Sequence, residues 1–104
     1  MDMYRQGDVL IVPVKKAPSH AVAQKAENGR VILARGEVTG HHHSFEDDGN
    51  VALLEAAPGE LYLKVDALSM LTHQEHGSIA VTPGVGRVII QRQYTPAEIR
   101  NVAD

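Results

Sequence analysis

The sequence predicts an all-β fold, a small single-domain barrel or sandwich with a short C-terminal helix. Three observations predict it. Short runs rich in Val, Ile and Leu recur between the turn dipeptides Asn28-Gly29, Asp48-Gly49, Pro58-Gly59 and Pro83-Gly84. Helical periodicity does not set in until Thr95. The 104 residues, 43% of them hydrophobic, supply one core and no more, so residues 1–104 are read as a single β domain.

Along the chain, Val9–Val14 is a continuous apolar run, which suits a strand buried on both faces. Pro13 lacks an amide hydrogen and places that end at an edge or a bulge. Residues 17–29 fit a loop or a helical turn. Asn28-Gly29 then turns the chain into the strand Arg30–Arg35. Gly36 and Gly40 interrupt the next stretch, and His41–Phe45 reads as a strand. Asp48-Gly49 is a hairpin signal leading into Val51–Glu55. Pro58-Gly59 turns into Leu61–Val65, where Leu61, Leu63 and Val65 share one face. Ile79–Val81 is a short strand, and Pro83-Gly84 leads into the last long one, Arg87–Tyr94. Thr95-Pro96-Ala97-Glu98 is a capping box with Pro at the first helical position, and it predicts a helix over about 96–103.

Composition narrows the chemistry. With one Phe, three Tyr and no Trp, the core must be aliphatic. No apolar run is long enough to span a membrane. The start, Met-Asp-Met-Tyr-Arg, does not read as a secretory leader, and the expected location is cytoplasmic. A net charge of −3 and few aromatic platforms argue against a nucleic-acid partner. The chain has no cysteine, which removes disulfides, thiolate ligands and a cysteine nucleophile together. Residues 37–75 carry eight acids against one base, a balance of −7, and also hold four of the six histidines. Carboxylates and imidazoles together suit a cation.

The histidines form two clusters. In Gly40-His41-His42-His43-Ser44-Phe45, strand alternation puts His41, His43 and Phe45 on one face and His42 and Ser44 on the other. The single Phe of an aliphatic protein is expected to point inward, so His41 and His43 point inward with it. A His-x-His pair on a strand can grip one metal ion. The second cluster is His73-Gln74-Glu75-His76-Gly77. A strand would put His73 and Glu75 on one face, and a tight turn would pair His73 with His76. The predicted metal ligands are therefore His41, His43, His73 and His76, for a divalent transition metal: Zn²⁺, Fe²⁺, Mn²⁺, Ni²⁺ or Cu²⁺. Glu75 is the candidate catalytic base. The plain alternatives are buried histidines bonded to backbone and a solvated surface run.

A glycine, the His41-x-His43 pair, Asp47 or Glu46, Gly59-Glu60-Leu61 and Pro83-Gly84 together resemble the cupin pattern over residues 36–90. That resemblance implies a small β-barrel holding a metal on histidines and a glutamate. The sequence departs from it where Asp47 replaces the glutamate and Arg87 stands where a final histidine is expected. The chain also resembles a group of short uncharacterised bacterial proteins. The similarity lies in Gln6-Gly7-Asp8-Val9-Leu10 and the segments Gly36–His43, His73–Gly77 and Tyr94–Ile99, and it implies no activity.

The sequence supports two functional readings. The first is a metal-binding small β protein, with a metal-dependent enzyme acting on a small-molecule substrate as its catalytic form. The second is a non-catalytic interaction or accessory β-domain acting as a homo-oligomer, because long apolar strands leave edges to cover.

Overall fold

The computed structural model describes residues 1–36 and 40–91. It contains ten strands: β1 (Tyr4–Gln6), β2 (Val9–Val14), β3 (Val22–Ala23), β4 (Arg30–Arg35), β5 (His42–Glu46), β6 (Val51–Ala57), β7 (Glu60–Val65), β8 (Ser69–Leu71), β9 (Ile79–Val81) and β10 (Gly84–Ile90). The predicted strands at Val9, Arg30, Val51, Leu61 and Ile79 are all present. The last strand begins at Gly84 rather than Arg87, because Gly84 and Val85 already pair with Val65 and Lys64 of β7. β1, β3 and β8 are additions that their short lengths hid. The helix expected over 96–103 lies outside the described residues. No helix among those described is long and apolar enough to cross a membrane.

The architecture is sandwich-like rather than a closed barrel. One layer is a six-stranded sheet in the order β1-β2-β10-β7-β6-β3, antiparallel throughout. Two hairpin sheets, β4-β5 and β8-β9, form the other layer. They are stitched together where Ser44 and Thr72 exchange backbone hydrogen bonds of 3.0 and 2.9 Å. The core lies between the layers. Val9, Ile11, Val51, Leu53, Leu63, Val65 and Val88 enter it from the large sheet, and Val31, Leu33, Phe45, Leu71 and Val81 from the small ones. Leu10, Val12 and Ile89 form a separate buried cluster from the alternate positions of β2 and β10. This is why Val9–Val12 is apolar at every position: both faces of β2 are covered.

The turns carry out their local chemistry with one change of role. Asn28 and Gly29 adopt positive φ (50° and 75°), and Glu27 and Arg30 bond each other across them, a two-residue hairpin turn. Gly59 (φ 78°) closes the β6–β7 hairpin. Asp48-Gly49, by contrast, does not make a hairpin. It carries the chain from β5 in one layer to β6 in the other, with Asp48 Oδ1 accepting from the Asn50 amide at 3.0 Å. Pro13 sits in β2 beyond the point where β1 ends opposite Ile11, so its missing amide costs no ladder bond on that flank.

Candidate functional site

Three segments meet at one end of the sandwich: the β1–β2 turn, the start of β5, and the loop joining β8 to β9. The β1–β2 turn is Gly7-Asp8, between the paired residues Gln6 and Val9. Gly7 has φ 59°, the requirement at the first central position of such a hairpin. The turn presents the Asp8 carboxylate toward β5.

His43 is the fixed centre of the site. It is 2% exposed and lies on the same inward face of β5 as the fully buried Phe45. Its Nδ1 is 2.9 Å from Gln6 Oε1. Gln6 is itself buried, and its Nε2 donates to the carbonyls of Leu71 (3.0 Å) and Gly77 (2.9 Å). Two acceptors around Nε2 settle which end of the amide is which, and Gln6 Oε1 must therefore accept. His43 Nδ1 therefore carries a proton and donates it to Gln6. His43 Nε2 is 3.6 Å from Asp8 Oδ1.

The 73–77 segment is a tight loop rather than a strand. His73 Nδ1 accepts from the Glu75 amide at 3.0 Å, with the His76 amide at 3.4 Å, so the imidazole caps its own turn. Gln74 Oε1 accepts from the His42 amide at 2.8 Å and ties the loop to the start of β5. The loop is thus held from both sides, by Gln74 on β5 and by the Gln6 amide under Gly77.

The four predicted ligands come together. The His73 ring lies 4.4 Å from that of His43, 4.6 Å from His76 and 5.7 Å from His41, centroid to centroid, and His43 and His76 are 5.9 Å apart. His41 precedes β5 instead of lying on it, and its side chain is half-buried at the edge of the cluster. Its Nδ1 is 3.5 Å from the exposed Glu75 carboxylate. His42 turns to the other face, 2.8 Å from the Ser44 hydroxyl, as alternation requires. Burial first, and then the neighbouring imidazoles His76 and His41, hold the His73 pKa below the usual imidazole value against the opposing pull of Glu75. As the side chains stand, no three His, Asp or Glu residues among those described form a group that could hold a metal ion.

Asp8 and Gln6 join the site from outside the two histidine clusters. The Gly7-Asp8 dipeptide is a hairpin signal that marks Asp8 as a turn tip. Nothing local puts that tip against His43. Of the acidic residues in the cupin-like pattern, Glu46 and Asp47 are exposed, and Glu60 pairs with Arg87 at 3.8 Å. Among the described residues, the carboxylates placed beside imidazoles are Asp8 and Glu75. A groove of about 680 Å³ opens between β3, β4, β6 and β7, floored by Val31, Leu33, Leu53 and Leu61 with Lys25 and Arg35 at its rim. No histidine lines it, so it is separate from the imidazole cluster.

A family model described as a domain of unknown function, DUF8820, matches residues 5–91, a span that includes all three site segments. No curated protein and no solved structure matches the chain.

Proposed function

We propose a function for a chain that belongs to the family described as a domain of unknown function, DUF8820: it binds a divalent transition metal at its imidazole cluster, with His41, His43, His73 and His76 as the pool of ligands. One observation carries this reading. Residues 41–43 and 73–76, far apart in sequence, bring four imidazoles together with ring centroids of 4.4 to 5.9 Å between neighbours, flanked by two carboxylates. Neutral imidazoles beside carboxylates, with no thiolate, suit Zn²⁺, Fe²⁺, Mn²⁺, Ni²⁺ or Cu²⁺. Binding requires side-chain rotation, since no ligand group is formed among the described residues as they stand. The exposed His76 and half-buried His41 have room for it, while the buried His43 serves as the fixed point.

If the site is catalytic, Glu75 is the base, because its exposed carboxylate stands at the open side of the cluster beside His41. The test is metal analysis of untagged protein, followed by Zn²⁺ titration of variants. His43→Ala and His76→Ala should weaken binding by about tenfold or more, and His42→Ala should not. Equal, negligible effects at all three positions would sink the proposal.

The second reading, a non-catalytic interaction domain acting as a homo-oligomer, draws on exposed apolar side chains. Val22 on the edge strand β3 is 64% exposed, and Leu68 is 62% exposed. Light scattering across a concentration series tests it: a strictly monomeric protein removes this reading.

A further inference from the structure

We infer that the groove between β3 and β4 is a docking site for a strand of another protein, an extended acidic peptide that pairs with the open edge of β4. The groove shares no residue with the imidazole cluster, so this goes beyond the metal-binding reading and does not depend on it.

Backbone alternation shows where the edge opens. Ser44 uses its amide and carbonyl on Thr72, at 3.0 and 2.9 Å, so in its pair with Ile32 it bonds away from β4. Residues of an antiparallel pair that do not bond each other turn their amides and carbonyls outward. Those of Ile32 therefore face away from β5, toward the groove that Ile32 lines. Arg30, two residues earlier, points the same way, and Glu27 takes both of its groups, at 2.8 and 2.9 Å. Continuing that hairpin would set Lys25 opposite Ile32. The arm is instead drawn into the other layer, where the Gln24 amide donates to the Leu53 carbonyl at 2.8 Å and Ala23 pairs with Leu54. The hairpin forks, and the Ile32 amide and carbonyl have no protein partner among the described residues.

The fork fits a strand. A donor and an acceptor side by side on a sheet edge are what an added strand uses for affinity. The six-stranded sheet is wider than the layer made by β4-β5 and β8-β9, so a strand beside β4 extends the narrower layer. Its alternate side chains then cover the apolar floor of Val31, Leu33, Leu53 and Leu61. The volume of about 680 Å³ is in the range of ligand clefts. Charge selects the occupant. The rim carries Lys25 and Arg35 against Glu27, which pairs with Arg35, a balance of +1 on a chain whose net charge is −3. Acidic side chains suit that rim. A second copy joined through the same edge would set two such rims face to face.

The experiment uses the metal-free full chain, ¹⁵N-labelled, and an acetylated, amidated peptide of alternating Val and Glu. The peptide should move the Ile32 amide signal in a saturable titration. The same peptide with Lys for Glu should bind about threefold more weakly or worse, and Lys25→Glu on the protein surface should reverse that order. A version N-methylated along its backbone should lose about tenfold or more, which tests the strand pairing without altering the protein. No shift at Ile32, equal binding of the Glu and Lys peptides, or equal binding of the methylated version would each overturn the inference. So would hexanoate binding as tightly as the peptide, which makes the groove a small-acid site. An Ile32 signal that moves with protein concentration alone would assign the edge to a second copy instead. None of these outcomes bears on metal binding, which the Zn²⁺ titration tests separately.

Discussion

Among single residues, Gln6 does more than any histidine to define the candidate site. Its one buried amide satisfies His43 Nδ1 and the carbonyls of Leu71 and Gly77 at once. Replacing it with Leu keeps the volume and leaves those three groups without that partner. Each buried unsatisfied group costs about 1–3 kcal/mol, so Gln6→Leu should lower stability by about 2 kcal/mol or more. Urea denaturation measures it, and an unchanged midpoint would show that other groups take over the amide's bonds. The inward direction of His43 is legible in the sequence, because Phe45 two residues on has to be buried and alternation carries His43 with it. Alternation does not reach His41, which lies in the loop before β5. Gln6 and Asp8 carry no local signal of a site, since a glutamine beside a turn is ordinarily solvated.

Among the elements, the turns are the most legible features and the strand partners the least. Asn28-Gly29 forms the turn it predicts, here a hairpin turn, because positive φ at both central residues is a local demand met by those two residue types. A Cβ at Gly29 would meet nothing within 4 Å, so Gly29→Ala isolates the backbone cost of φ 75°. The expected loss is about 1–2 kcal/mol in thermal or urea unfolding, with Gly29→Asn milder. Gly77→Ala, equally uncrowded and without a positive φ, should cost much less. Asp48-Gly49 makes its turn as well, but whether the next strand pairs back or crosses to another sheet depends on where β6 finds β7. β1, β3 and β8 run to only two or three residues, too short for a periodic signal.

Across the molecule, the two layers bring the β1–β2 turn, β5 and the β8–β9 loop to one end, and the electrostatics of that end set a pH dependence. The His73 pKa is held below the usual imidazole value by burial and then by His76 and His41. As pH falls, the unfolded chain therefore takes up this proton before the folded one does. The stability that a neutral His73 provides is complete above about pH 6.5 and is lost progressively below it. Thermal melts of the metal-free protein between about pH 7.5 and 5 should show a falling midpoint, and His73→Gln should flatten the slope. A wild-type slope that His73→Gln leaves unchanged would assign it to other groups. The all-β class, most strands and turns, the aliphatic core and the absence of thiol chemistry can all be read from the chain alone. Each depends on side-chain volume, backbone conformational limits or composition, which act locally or as sums over the chain. Four facts come from the folded arrangement instead: the two-layer sandwich, the meeting of the two histidine clusters, the capping of a turn by His73, and the arrival of Asp8 and Gln6 at the site. They depend on contacts between residues distant in sequence. Such contacts are fixed by which sheet edges pair and which faces pack, a choice that no short stretch of the chain makes alone.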